Sequence, residues 1–184
     1  MRVALELMTE KGFLSTGIEE VLSRSEVPRG SFYYYFPSKE AFGLEAIDAY
    51  DAFFANKIEK FLGNQRRSTI ERIVAFMDDA EHGMSKYEFR RGCLVGNLGQ
   101  EMGALPGSFR TKLVAVLQGW ERRFAVCIAD GQLRNEISDH LDPERLARLF
   151  WTGWEGAVLR AKLESNPQPL HIFGDAFLEI LKAR

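Results

Sequence analysis

A chain of 184 residues that is 46% hydrophobic and 27% charged can bury a sizeable core and is too apolar to be a disordered segment. Its formal net charge of -2 supplies no overall basic field, so composition by itself speaks against a nucleic-acid binder, and any such function has to rest on local geometry. No apolar run approaches the roughly 20 residues of a membrane span and no charged start leads into a hydrophobic core, which predicts a cytoplasmic protein whose two cysteines, Cys93 and Cys127, are thiols and not a bridge.

The first element is a helix over Arg2 to Glu10, with Val3, Leu5 and Leu7 inward, Glu6 and Glu10 outward, and Gly12 as its stop. Two short helical patterns follow between Thr16 and Glu40. In the first, Ile18, Val21 and Leu22 make an apolar face; Thr16 stands as N-cap and Glu19, three residues on, completes a capping box. Ser25, Glu26 and Val27 form a turn. Pro28 opens the second helix, where its missing N–H costs nothing, and Pro37 ends it. This is a helix-turn-helix signature. The exposed side of the second helix carries Arg29, Gly30, Ser31, Tyr33 and Tyr34, which suit a phosphate or a base edge. The plainer alternative is a solvated helical hairpin whose tyrosines pack on a neighbour. Charge favours the alternative: the first fifty residues hold five basic residues (Arg2, Lys11, Arg24, Arg29, Lys39) against eight acidic ones.

The run KGFLSTGIEEVLSRSEVPRGSFYYYFPSKE, Lys11 to Glu40, resembles the DNA-binding domain of the tetracycline-repressor family of bacterial transcription regulators. The resemblance implies an all-α, dimeric repressor with a three-helix helix-turn-helix domain over residues 1–46 and a ligand-binding and dimerisation domain over 47–184. It also implies DNA contacts: Arg29, Tyr33, Tyr34 and Lys39 at phosphates, Thr16 and Ser31 near the backbone, and Pro28, Gly30 and Arg29 nearest the base edges. Family members usually place a basic arm and a longer first helix ahead of this run, whereas here twelve residues precede Phe13.

Beyond the motif, Ser38 caps a long helix from Lys39 to about Phe61, and residues 63–68 form a loop. Ser68 or Thr69 then starts a helix with Ile70, Ile73, Val74 and Met77 inward, running to about Tyr87. The stretch RRGCLVGNLGQEMGAL, Arg90 to Leu105, spaces its glycines at 92, 96, 99 and 103, which predicts a helix with one side stripped for close approach. Asn97 and Glu101, four apart, share a face and could hold a polar group, could pair with one another, or could simply be solvated. This stretch resembles a subgroup of the same family that answers to electrophiles and small unsaturated acids. That resemblance carries a sensing role to Cys93, which follows Arg90 and Arg91; the alternative is a small buried hydrophobe.

The next helix spans about Phe109 to Asp130, striped by Leu113, Val116, Leu117, Trp120, Phe124 and Cys127. The expected effector pocket lies between this helix and the glycine-striped one. Trp120 and Phe124 face it, Phe89, Met102, Phe109, Trp151 and Trp154 are further walls, Asn97 and Glu101 form the polar end, and Arg90 or Arg91 balances a carboxylate. After a loop over 131–141, Pro143 begins a helix bearing Phe150, Gly153, Trp154 and Gly156, and a last helix carries Phe173 and Phe177. Both look too apolar for one subunit, so they are expected to build a four-helix dimer interface, the alternative being a monomer core. No metal-ligand spacing appears among His82, His140 and His171, and no cofactor is expected. A cysteine-dependent enzyme would need a base beside Cys93, with His82 the only local histidine. A helical interaction module without DNA is the other alternative.

Overall fold

The computed structural model describes residues 1–182, so the last two residues of the expected second domain lie outside it. Among the described residues every regular element is helical: α1 (Arg2–Lys11), α2 (Ile18–Arg24), a 3-10 turn (Arg29–Ser31) leading into α3 (Phe32–Tyr35), α4 (Lys39–Leu62), α5 (Thr69–Ser85), α6 (Leu94–Gln100), α7 (Gly107–Leu133), α8 (Pro143–Glu164) and α9 (Gln168–Lys182). They form two compact units. One comprises residues 1–53 with 91–116, the other 54–90 with 117–182. The first unit therefore holds the helix-turn-helix region together with α6 and the start of α7.

In the first unit, α1 ends because Gly12 adopts φ +84°, which only glycine takes readily, and its N–H closes on the Met8 carbonyl at 3.0 Å. The expected Thr16 cap does not form. Gly17 is the N-cap of α2 and receives no side-chain bond, because the Thr16 hydroxyl points back and donates to the Gly12 carbonyl at 2.6 Å. Ser38 does cap α4, its hydroxyl accepting the Ala41 N–H at 3.0 Å. Phe32 and Phe42 are buried with ring centroids 5.3 Å apart, and Phe13 and Phe109 meet at 4.9 Å. A buried phenylalanine stabilises by roughly 1.5–3 kcal/mol, so these rings hold the unit far more strongly than helix propensity does.

In the second unit α5, expected to start at Ser68 or Thr69, opens with a capping box on Ser68, which accepts from the Glu71 N–H while Glu71 accepts from the Ser68 N–H. Asp142 caps α8 through the N–H groups of Glu144 and Arg145, with Pro143 in the first turn. Arg72 is fully buried. It donates to the Leu62 carbonyl, to Thr69 Oγ1 and to Asp130, and so ties the end of α4 to the start of α5 and to α7. Asp130 is held below the usual carboxylate range chiefly by this hydrogen bond from Arg72.

The glycine-striped helix is the main departure. Only Leu94 to Gln100 is helical; Gly92 precedes it, Gly103 follows it, and added Cβ atoms at Gly99 and Gly103 would meet open space. Glycine makes that helix costly without tertiary support, and here the support is confined to one short stretch.

Candidate nucleic-acid interface and effector site

Phe32 is the floor of the expected recognition surface. Its buried ring packs on Phe36 at 5.3 Å and Phe42 at 5.3 Å, which turns Tyr33, Tyr34 and Tyr35 outward at 67%, 84% and 70% exposure. Pro28, Arg29 and Gly30 are exposed beside them and Ser31 is half-buried. Arg29 is held by Glu19 of α2 at 2.5 Å, both side chains lying in solvent. Tyr35 belongs to this surface although the motif reading names only its two predecessors; the third tyrosine of an unbroken run was the available signal. Two expected members are placed elsewhere. Thr16 is buried, its hydroxyl bonded to Gly12. Lys39 is half-buried, with Nζ 4.9 Å above the Phe13 ring and 3.4 Å from the Leu14 carbonyl. Burial lowers its pKa, opposed by the nearby Glu101 carboxylate.

The polar pair of α6 is bonded to the backbone of α1. Asn97 Nδ2 donates to the carbonyls of Met8 at 2.9 Å and Thr9 at 2.8 Å. Glu101 accepts the N–H groups of Phe13 at 2.9 Å and Leu14 at 3.3 Å. Its carboxylate also fills the space where a side chain on Gly12 would begin. Gly92 N–H reaches the Thr9 carbonyl at 3.0 Å, and Arg91 lies 3.5 Å from Glu6. Asn97 and Glu101, expected as the polar end of a pocket, and Arg91, expected with Arg90 as a balancing charge, therefore have partners within the protein. Phe109 is likewise a core ring: it rests on Phe13 and on Gly43, where a Cβ would come within 2.6 Å of it. Met102 is half-buried just past α6. Cys93 is buried at the N-cap of α6, where its carbonyl accepts the Asn97 N–H at 3.0 Å.

In the other unit the expected aromatic residues do assemble. Trp120 lies 4.5 Å from Phe54 and 5.0 Å from Trp151; Phe124 stacks on Phe150 at 4.1 Å, and Phe150 stacks on Trp154 at 5.6 Å. Phe150 is the centre of this cluster and was expected instead at a dimer face; its spacing on α8 with Trp151 and Trp154 was the overlooked clue. The buried Trp151 indole N–H has no hydrogen-bond partner among the described residues. An unmet buried donor costs about 1–3 kcal/mol. Phe89 is buried with left-handed backbone, φ +58°, and Arg90 is exposed beside Glu88 at 3.7 Å.

These features match known proteins over nearly the whole chain. Residues 1–46 match the model described as bacterial regulatory proteins, tetR family, and residues 69–177 the tetracyclin repressor-like C-terminal domain. The chain belongs to the tetracycline-repressor family. Relatives include the transcriptional regulator AcuR of Cereibacter sphaeroides, 50% identical over 96% of this chain and 81% of that protein. The transcriptional repressor DhaR of a Mycobacterium species is 30% identical over 96% and 87%. A regulatory protein TetR from Rhodobacter sphaeroides superposes with a TM-score of 0.95 at 49% identity, covering 97% of this chain and 95% of that one. The reduced form of Escherichia coli NemR gives 0.87 at 26%, covering 98% and 94%. Membership makes the chain a regulator and not an enzyme.

Family membership sharpens the reading of α8 and α9. Phe150, Trp154 and Phe177 are buried within their own subunit and Phe173 is half-buried, so these rings are not the exposed area expected of them. A different stripe faces outward: Leu149, Gly156, Leu159 and Leu163 on α8, with Ile172, Ala176 and Ile180 on α9. Leu163 and Ile172 are 74% and 63% exposed. Gly153 lies against the Phe173 ring, while a side chain at Gly156, one turn on, would meet nothing. Among the described residues no helix is long and apolar enough to cross a membrane.

Proposed function

We propose that the chain is a ligand-responsive transcriptional repressor that binds a palindromic operator as a homodimer and is released by a small electrophile or unsaturated acid. The observation that carries the DNA half is the outward row Tyr33, Tyr34 and Tyr35 on the buried Phe32 floor, with Arg29 at its start. A helix this short reaches base edges from its first turn, and the tyrosine hydroxyls serve as phosphate contacts. With a net charge of -2, one subunit has little electrostatic pull. Two subunits joined through the outward stripes of α8 and α9 would present two such rows to half-sites about 34 Å apart or a modest extension of that.

On the effector side, the aromatic cluster with the unpaired Trp151 N–H suits a small, mostly apolar molecule with one acceptor oxygen. Cys93 is the proposed point of covalent sensing, the role that the resemblance to electrophile-responsive repressors gives it. Its thiolate sulfur would bond to the β-carbon of the unsaturated compound; the π pair moves to the α-carbon, which takes a proton from water, with no change of oxidation state. Cys127 is a built-in control, since burial pushes its thiol up to about 11 and leaves it protonated near neutrality.

The test is a footprint on the duplex upstream of the gene, followed by anisotropy at two salt concentrations. Wild type should protect a two-fold site, and a triple variant Tyr33→Phe, Tyr34→Phe, Arg29→Ala should lose most of the affinity with a shallower salt slope. Equal binding by the two proteins would remove the DNA reading. Labelling with N-ethylmaleimide between about pH 6 and about pH 9 should modify Cys93 and spare Cys127; the reverse order would remove Cys93 as sensor.

A further inference from the structure

We infer that the cavity between the end of α4, the start of α5 and the second half of α7 is a small-molecule site of its own, built for a compact compound with an uncharged carbonyl oxygen, such as a primary amide. All of its walls belong to the second unit, and none is a ring of the aromatic cluster. The inference does not depend on the repressor reading, because it concerns the protein without DNA.

The floor is Arg72, a fully buried arginine whose guanidinium carries five N–H donors. Nη1 donates to the Leu62 carbonyl at 3.0 Å, and Nη2 donates to Thr69 Oγ1 at 3.0 Å and to Asp130. Nε–H has no partner among the described residues. Arg72 lines the cavity between two of its own partners, Leu62 and Asp130, which brings the planar guanidinium with its unbonded edge to the cavity wall. The desolvation of that N–H is uncompensated within the protein, so an acceptor that reaches it gains a bond at no cost to an existing one.

Charge decides the class of ligand. Arg72 is already matched by Asp130, and Arg134, 3.7 Å from Asp130, is matched by Glu136 at 3.0 Å. Asp130 also takes a hydrogen bond from Gln65. A carboxylate entering here would be a buried charge with no counter-ion left for it, beside Asp130 and with Glu59 at the rim. Arg123 at the rim is exposed and donates to the Gly119 carbonyl of its own helix at 3.2 Å, so water screens its charge. A neutral carbonyl avoids the penalty and still supplies the acceptor. The remaining walls suit its apolar part. Ile58 and Leu62 are buried, Cys127 is buried with its thiol pushed up to about 11 and so uncharged near neutrality, and Val126 stands 70% exposed at the mouth. The volume, about 270 Å³, is far above the roughly 30 Å³ share of one water, so a single bridging water does not fill it.

The experiment titrates isotope-labelled protein with propionamide and, separately, with propionate, its anion of matching shape. The Arg72 Nε–H resonance and the methyl groups of Ile58 and Val126 are followed by NMR. Propionamide should shift all of them along one saturable curve with a midpoint of about 1–10 mM, as befits so small a ligand. Propionate should bind at least about tenfold more weakly, and Asp130→Asn, which leaves the Arg72 charge unmatched, should reverse the preference. Should Asp130→Asn not fold, Glu59→Gln at the exposed rim should narrow the preference about twofold to threefold. Val126→Trp, a change at an exposed position, should close the mouth and abolish the shifts of Ile58 and Arg72. Equal midpoints for the two compounds in wild type would overturn the choice of an uncharged ligand. Shifts that grow linearly, or that persist unchanged in Val126→Trp, would overturn the site, as would an exchange signal between Nε–H and water that propionamide leaves in place.

Discussion

The seam between α1 and α6 and the aromatic cluster around Phe150 hold their respective units by opposite means. In the seam, six hydrogen bonds and ion contacts run from side chains and one backbone N–H to fixed backbone and carboxylate atoms, and each depends on direction. In the cluster, rings from α4, α5, α7, α8 and α9 touch one another, and shape and volume matter more than orientation. A packed cluster tolerates volume-conserving exchange, whereas a directional seam is broken by the loss of one atom.

The largest test of this contrast is Phe150→Ala, which empties the centre of the cluster. A buried phenylalanine reduced to alanine costs about 3–5 kcal/mol, and chemical denaturation should show it, while Phe150→Leu should cost well under half as much. If both substitutions cost the same, the cluster is as direction-dependent as the seam. The ion pair in the same unit adds a pH dependence of known sign. Arg72 holds the Asp130 pKa down in the folded protein, so the stability from this pair is present above the ordinary carboxylate pKa, about 3.9, and is lost as pH falls through and below that value. Melting followed downward from neutrality should show the loss in wild type and a smaller one in Asp130→Asn.

Gly12→Ala is the matching test of the seam. A side chain at φ +84° and ψ 174°, a conformation essentially confined to glycine, costs about 1–3 kcal/mol, and it would also expel the Glu101 carboxylate from its place. The expected result is a loss of stability somewhat above the backbone cost alone, together with faster hydrogen exchange at the Phe13 and Leu14 amides. Unchanged exchange there would mean that Glu101 had found the same bonds again and that the seam is more forgiving than its geometry suggests.

What the sequence revealed follows the same division. The helices, the cap at Ser38, the start of α5 at Ser68 or Thr69 and the apolar stripe that carries Trp120 and Phe124 were legible, because apolar periodicity and capping chemistry are local. Asn97 and Glu101 were legible as a polar pair on one face, but their partners lie on a backbone 87–89 residues away, and no local pattern separates that from a ligand. Thr16 failed for a smaller reason: a threonine hydroxyl before a helix can accept from the next turn or donate to the previous one, and the glycine at 12 exposes a carbonyl that wins. The two glycines of α8 make the point within one turn. Both look like sites of close approach, yet Gly153 faces its own subunit and Gly156 faces out.

That pair gives the next prediction. Gly153→Ala drives a methyl into the Phe173 ring, and overpacking of this kind costs about 1–3 kcal/mol. Gly156→Ala should instead gain helix propensity, about 0.5–1 kcal/mol, in the isolated subunit and weaken dimerisation. Sedimentation across a dilution series separates the two effects; a dimer no weaker in Gly156→Ala than in wild type would place the partner away from this stripe.

The smallest expected effect lies just beyond the end of α5, where Glu88 and Phe89 are consecutive non-glycine residues with φ of +52° and +58°. Phe89 is kept there by its buried ring, so Phe89→Gly should lose roughly 1.5–3 kcal/mol of burial and be destabilising despite the relaxed backbone. Glu88 has no such anchor: it is exposed, and its ion contact with Arg90 at 3.7 Å is between two solvated side chains. Glycine at 88 removes the left-handed penalty of about 1–2 kcal/mol and gives part of it back by loosening the unfolded chain. A net gain of about 0.5 kcal/mol is expected, read as a shift in denaturation midpoint with an unchanged slope. If Glu88→Gly lowers the midpoint instead, the contacts of the Glu88 side chain outweigh its backbone strain.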